Sequence, residues 1–210
     1  MSFFPSLLFD RDGTLIEDRH YLADPAGVSL LPYVGPCLGR LFRQGHQLFM
    51  VSNQSGIGRG MFACRDADAC NARLAELLEE FGAHFTRMLY CPHAPDENCN
   101  CRKPATGMWD TLREQYLLEA GNTIMVGDKA EDMEFASNAG LAAGVLVLSG
   151  KGRSAAGRLG IAVPPDLREP LSEMRSSDFV QVVIPDFSFL EEALHVASGC
   201  RVRACGNQGE

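Results

Sequence analysis

The chain has 210 residues, 46% of them hydrophobic, enough to bury one full core and near the upper end for a single domain. A formal net charge of -8 and a pI near 5.1 argue against a general nucleic-acid or anionic-membrane surface, because such binding needs basic patches that neutralise phosphates. No apolar run approaches the roughly 18 residues of a spanning helix, and residues 1–5 carry no basic leader region, so a cytoplasmic protein is expected.

In chain order, residues 7–9 read as a short buried strand and residues 34–44 as an amphipathic helix with Val34, Leu38, Leu41 and Phe42 on one face. A second strand is expected over 47–51. A helix follows over 67–81, carrying Leu74, Leu77 and Leu78 at helical spacing and ending at Gly82, a C-cap residue. Further strands fall at 87–90, 123–126 and 144–148. Residues 150–177, rich in Gly, Pro and Arg, read as irregular surface, with a last strand over 178–184 and a last helix over 187–196. One domain over 1–197 and a flexible polar tail over 198–210 are expected. Alternating strands and helices imply right-handed crossovers and an α/β fold, a doubly wound, mostly parallel Rossmann-like sheet with ligands bound beyond the carboxyl ends of its strands.

Polar residues follow each strand, and they carry the chemistry. Asp10 and Asp12 end the first strand, two residues apart, and two such carboxylates repel unless a cation joins them. Magnesium suits them, since it takes carboxylate and phosphate oxygens together. Covalent phosphoryl transfer needs a carboxylate nucleophile and a second acid that serves the leaving group and then water, roles that Asp10 and Asp12 can divide. An isolated Asp-x-Asp also fits a plain turn, but Ser52, Lys103 and Asp128 follow three other strands. They supply the hydroxyl, the fixed ammonium and the further metal ligand that a pentacoordinate phosphoryl transition state requires.

Cys91, His93, Cys99 and Cys101 form the second constellation. Three thiolates and one imidazole in a short loop make a closed tetrahedral zinc set, and with no open position the metal is structural, pinning the segment that leads into Arg102 and Lys103. The other five cysteines cannot all pair within the chain, so a reducing compartment fits better than a disulfide framework.

The ordered set Asp10-Arg11-Asp12-Gly13-Thr14, Ser52-Asn53, Lys103 and Gly127-Asp128 with Asp132 resembles the four motifs of the haloacid dehalogenase superfamily over nearly the whole chain. With the zinc loop and the run from Ser52 to Gly60, the resemblance narrows to the D-glycero-D-manno-heptose 1,7-bisphosphate 7-phosphatase family, a capless branch. That resemblance implies removal of the C7 phosphate during heptose precursor synthesis for surface glycans. It also implies magnesium on Asp10, the Asp12 carbonyl and Asp128, with Asp132 behind them. Substrate contacts are implied at Asp18, Arg19, His20, Tyr21, Ser52, Asn53, Gln54, Ser55, Arg102, Lys103 and Lys129. Ser52 stands where the family usually has Thr, and the segment 150–177 is longer than usual.

No cap domain fits between the motifs, since an independent domain needs about 50 residues. Specificity is therefore expected from residues 16–33, 55–62 and the zinc loop. Gly56, Gly58 and Gly60 are wrongly spaced for a dinucleotide site and read as a flexible substrate loop carrying Arg59. Arg59 and Arg102 are expected on the phosphate that is not cleaved, and Lys103 and Ser52 on the one that is. A small-molecule sugar phosphate is the expected partner, with no nucleic acid, no membrane and a monomeric state. Two rivals remain at this point: a histidinol-phosphate phosphatase, which shares the zinc loop but more often has an acid at the position of Ser55, and a non-catalytic zinc module, which the lack of interleaved aromatic residues disfavours.

Overall fold

A computed structural model describes residues 5–174 and 179–205. Seven strands form one sheet: β1 (Ser6–Phe9), β2 (Leu48–Asn53), β3 (Arg87–Cys91), β4 (Thr123–Gly127), β5 (Ala143–Val147), β6 (Leu171–Met174) and β7 (Val180–Ile184). Their spatial order is β3-β2-β1-β4-β5-β7-β6, parallel throughout except for the antiparallel edge strand β6. β1 lies between β2 and β4, with Leu7 level with Leu48 and Ile124. The chain runs from β1 out to one edge through β2 and β3, and then returns to the other side of β1 through β4. The strand order therefore reverses beside Asp10, which is where an open α/β sheet binds its ligand.

The alternation of side chains along β1 sorts the helices onto two faces. Leu7 and Phe9 face a core built with α1 (Val34–Gln44), α3 (Cys64–Glu79) and α7 (Leu190–Cys205) through Leu38, Leu74 and Leu190. Leu8 faces the opposite core, with Trp109 and Leu112 of α4 (Gly107–Tyr116) and Phe135 of α5 (Ala130–Asn138). Burying each such side chain is worth about 1.5–3 kcal/mol, which makes this two-sided layering the main source of stability. Gly45 and Gly82 adopt left-handed angles just beyond α1 and α3, the second as expected.

Three expectations change. Residues 150–174 are not irregular throughout: they contain α6 (Gly152–Arg158) and the edge strand β6, while residues 175–177 lie outside the described residues. Ala155 and Ala156 of α6 pack with Ala130 and Met133 of α5 and with Leu146 of β5. The run through Gly56 to Gly60 starts with a short helix, α2 (Ser55–Gly58), whose Gly58 N–H donates 2.8 Å to Pro92 O, so it buttresses the zinc loop instead of moving freely. The segment from Ser198, expected as a loose tail, is helical to Cys205; residues 206–210 and Asp178 lie outside the described residues. No helix among the described residues is long and apolar enough to cross a membrane.

Candidate active site

Asp10 begins where β1 ends. Its carboxylate is fully buried and meets two ammonium groups, with Lys103 Nζ 2.9 Å from Oδ1 and Lys129 Nζ 2.7 Å from Oδ2. Burial alone would raise its pKa, but these two cations overcome that penalty and hold Asp10 well below the usual carboxylate range. A deprotonated, desolvated carboxylate is what nucleophilic attack on phosphorus requires.

Lys103 is itself held on several sides. Its ammonium donates 2.7 Å to Val51 O and forms an ion pair at 2.6 Å with Asp132 Oδ1. Its backbone is clipped by Asn53, which accepts from Lys103 N–H at 3.0 Å and donates to Lys103 O at 3.0 Å. Asn53 is thus a clamp for the Lys103 segment. Asp132 also accepts from Lys129 N–H at the start of α5, and its carboxyl is pushed up to about 6, first by burial and then by the neighbouring acids.

The side chain of Asp12 turns the other way. The buried guanidinium of Arg11 grips it with Nε at 3.1 Å and Nη2 at 3.2 Å, while Arg11 Nη1 donates 2.8 Å to Asn71 Oδ1 on α3. Gln54 Nε2 donates 2.8 Å to Asp12 Oδ2 and 2.9 Å to Ser52 Oγ, joining the second acid to the hydroxyl of the second motif. Arg11 and Asn71 were not singled out from the sequence. Gln54, expected on substrate, also spends its amide within the protein.

Asp128 is completely buried at the end of β4 and accepts from Thr14 Oγ1 at 3.2 Å and Lys151 N–H at 2.8 Å. Two glycines shape its surroundings. Gly13 (φ 85°) and Gly150 (φ 49°) both have left-handed angles, and a Cβ on either would run into the Asp128 carboxylate. Ligand oxygens of Asp10, Asp128 and Asp132 lie within 4.8 Å of one another. Lys129 Nζ contacts Asp10 Oδ2, Asp12 O at 2.8 Å and Asp128 Oδ1 at 3.0 Å, so a cation already occupies the oxygen set assigned to magnesium. Hard oxygen donors with excess negative charge fit that metal.

In the zinc loop Cys91 Sγ is 3.5 Å from Cys99 Sγ, Cys101 Sγ is 3.5 Å from Cys99 Sγ, and His93 Nδ1 is 3.2 Å from Cys101 Sγ. These separations approach the roughly 3.7 Å edge of a tetrahedron with zinc–sulfur bonds of about 2.3 Å, and they are far too long for a disulfide. Cys37, Cys64, Cys70, Cys91, Cys99 and Cys101 are free thiols.

The groups border a cleft of ≈ 420 Å³ that takes in Asp10, Asp12, Asp18, His20 and Tyr21. His20 and Tyr21 have positive φ, a conformation that non-glycine residues adopt at a cost, and Asp18 accepts from His20 N–H at 3.2 Å to hold that turn. Asn53, Gln54, Ser55, Arg102, Lys103 and Lys129 also line it. Arg19 and Arg59 do not: Arg19 pairs with Glu17 in solvent, and α2 leaves Arg59 exposed outside the cleft. Unanticipated lining residues come from the segment after β5, namely Lys151, Ser154 and Arg158, and from Glu131 on α5. The residues of α6 lacked any motif by which to find them.

Comparison with known proteins gives the same picture. A family model described as "HAD-hyrolase-like" matches residues 100–170. The D-glycero-beta-D-manno-heptose-1,7-bisphosphate 7-phosphatase of Vibrio cholerae is 35% identical over 154 residues, 70% of this chain and 83% of that protein. The Histidine biosynthesis bifunctional protein HisB of Legionella pneumophila is 36% identical over 64% of this chain but only 39% of its own length. Among solved structures, D,D-heptose 1.7-bisphosphate phosphatase from B. bronchiseptica, complexed with magnesium and phosphate, superposes with a TM-score of 0.75 at 28% identity over 90% of this chain and 97% of that one. By its sequence over most of a relative's length, and by a fold shared end to end, this chain belongs to the D-glycero-beta-D-manno-heptose-1,7-bisphosphate 7-phosphatase family.

Proposed function

We propose that the protein hydrolyses the C7 phosphate of D-glycero-D-manno-heptose 1,7-bisphosphate through an aspartyl-phosphate intermediate, in the supply of heptose precursors for surface glycans. The observation that carries the chemistry is the pairing of a buried, ionised Asp10 with Lys103 and Lys129, beside a second carboxylate held by Arg11 and Gln54. Asp10 attacks phosphorus, and the bond to the sugar oxygen breaks as Asp12 gives that oxygen a proton. Asp12 then takes a proton from the water that attacks the phospho-aspartate, which returns Asp10 and releases phosphate. Lys103 and Ser52 bear the charge on the phosphoryl oxygens.

Magnesium would be held by Asp10, the Asp12 carbonyl and Asp128, with Asp132 behind, and when bound it neutralises charge on the transferred group. Zinc would be held by Cys91, His93, Cys99 and Cys101 in a structural role. The heptose substrate, in preference to histidinol phosphate, rests on the family; Arg102, whose Nη1 is buried without a hydrogen-bond partner, lines the cleft. A guanidinium nitrogen left without a partner suits a second anion. A soluble monomer working in the cytoplasm on small sugar phosphates accords with this reading. The test is steady-state phosphate release from both heptose bisphosphate anomers, histidinol phosphate and simple sugar monophosphates. The highest kcat/KM is expected for a heptose bisphosphate; a higher value for histidinol phosphate overturns the substrate assignment.

A further inference from the structure

The cations of the cleft differ in how far they are committed. Lys103 and Lys129 are absorbed by Asp10, Asp128 and Asp132. Lys151 lies 3.4 Å from Asp18. Arg102 has an unpartnered nitrogen. Arg158, at the end of α6, meets Glu131 through a single contact, Nη1 to Oε1 at 3.1 Å, and both residues border the cleft.

This last pair has little structural purpose. The Arg158 side chain is 60% exposed, and an exposed ion pair adds at most about 1 kcal/mol to stability. Its position is nevertheless well fixed. Ala155 and Ala156 seat α6 on Ala130 and Met133 of α5, the helix that also carries Asp132, so the far end of α6 is held in a set relation to the reacting groups. A phosphate carries about -1.5 to -2 charge and three acceptor oxygens, more than one guanidinium can satisfy. A second uncleaved phosphate therefore needs a cation besides Arg102, and Arg59 lies outside the cleft.

We propose that Arg158 is a specificity-determining residue that, together with Arg102, binds the phosphate that is not hydrolysed, and that Glu131 holds Arg158 in place until that phosphate replaces it. The inference rests on the bisphosphatase reading and deepens it, since α6 then supplies the recognition that the Gly56 to Gly60 run does not. Glu131 adds discrimination. With Arg158 removed, its carboxylate faces the cleft unpaired and repels the second phosphate.

The test compares kcat/KM for heptose 1,7-bisphosphate with that for heptose 7-phosphate, in the wild-type enzyme and in Arg158→Ala, Arg158→Lys and Glu131→Gln. In Arg158→Ala the bisphosphate-to-monophosphate ratio is expected to fall about tenfold through KM, the scale of one charged hydrogen bond. Arg158→Lys should keep part of it. Glu131→Gln should raise the ratio, a change of sign that a purely structural pair would not give. Thermal midpoints near wild type check that the fold is kept. A ratio unchanged in Arg158→Ala, including parallel losses on both substrates, overturns the inference while leaving the bisphosphatase reading intact. A wild-type ratio near one overturns that reading and the inference with it.

Discussion

Arg11 shows how much of this site is set by a side chain that does no chemistry. Its guanidinium, 1% exposed, joins Asp12 to Asn71 of α3 and so fixes the carboxylate proposed to serve as acid and then as base. Arg11→Ala leaves Asn71 Oδ1 without its Arg11 donor and Asp12 with Gln54 alone, and it is expected to lower stability in denaturant unfolding by about 1–3 kcal/mol, the cost of unsatisfied buried polar groups. Asp12→Asn keeps oxygen and shape but takes away the counter-charge of buried Arg11, and it should lower kcat by about 10²- to 10⁴-fold, the usual worth of an acid–base group. Asp10→Asn is expected to abolish turnover without loss of zinc, read by single-turnover assay and metal analysis; normal turnover would remove the aspartyl-phosphate mechanism. Asp10, Asp12, Ser52, Lys103 and Asp128 were legible because each lies at or beyond the carboxyl end of a strand, at a motif spacing. Arg11 was not, because its orientation depends on Asn71, 60 residues away, and no local pattern records such a contact.

The zinc loop shows a similar dependence between elements. The segment carrying Arg102 and Lys103 is tied by the cysteine cluster on one side and by Asn53 of β2 on the other, while α2 supports the loop through Pro92. Cys99→Ser is expected to lose zinc and lower the melting temperature, with activity falling as Lys103 loses an anchor. Full zinc occupancy with a wild-type melting curve would refute the site. Asn53→Ala should instead keep zinc while lowering kcat, because it frees the Lys103 backbone alone. The strands, α1 and α3 were readable from large apolar residues at regular spacing. α6 was not, because its buried face consists of Gly152, Ala155 and Ala156, too small to register as a hydrophobic stripe. The edge strand β6 pairs with β7 on its one inner side, and four residues offer little alternation to read.

At the scale of the whole molecule, the strand reversal beside β1 gathers Asp10, Asn53, Lys103 and Asp128 on one rim of the sheet, and the alternation of strand and helix made that arrangement foreseeable. The walls around the rim come from the turn at His20 and Tyr21, from α2 and the zinc loop, and from α6. Asp18 holds the turn, α2 is tied to the zinc loop and α6 packs on α5 and β5, and none among the described residues forms a separate domain over the cleft. Where a lid must open before product can leave, turnover slows as the solvent thickens. With the walls held in this way, turnover without a lid-opening step is expected. Added sucrose or glycerol should therefore leave kcat unchanged over a severalfold rise in viscosity, whereas a kcat that falls in proportion would show that a diffusive step, product release or a wall that closes on each turnover, limits the rate.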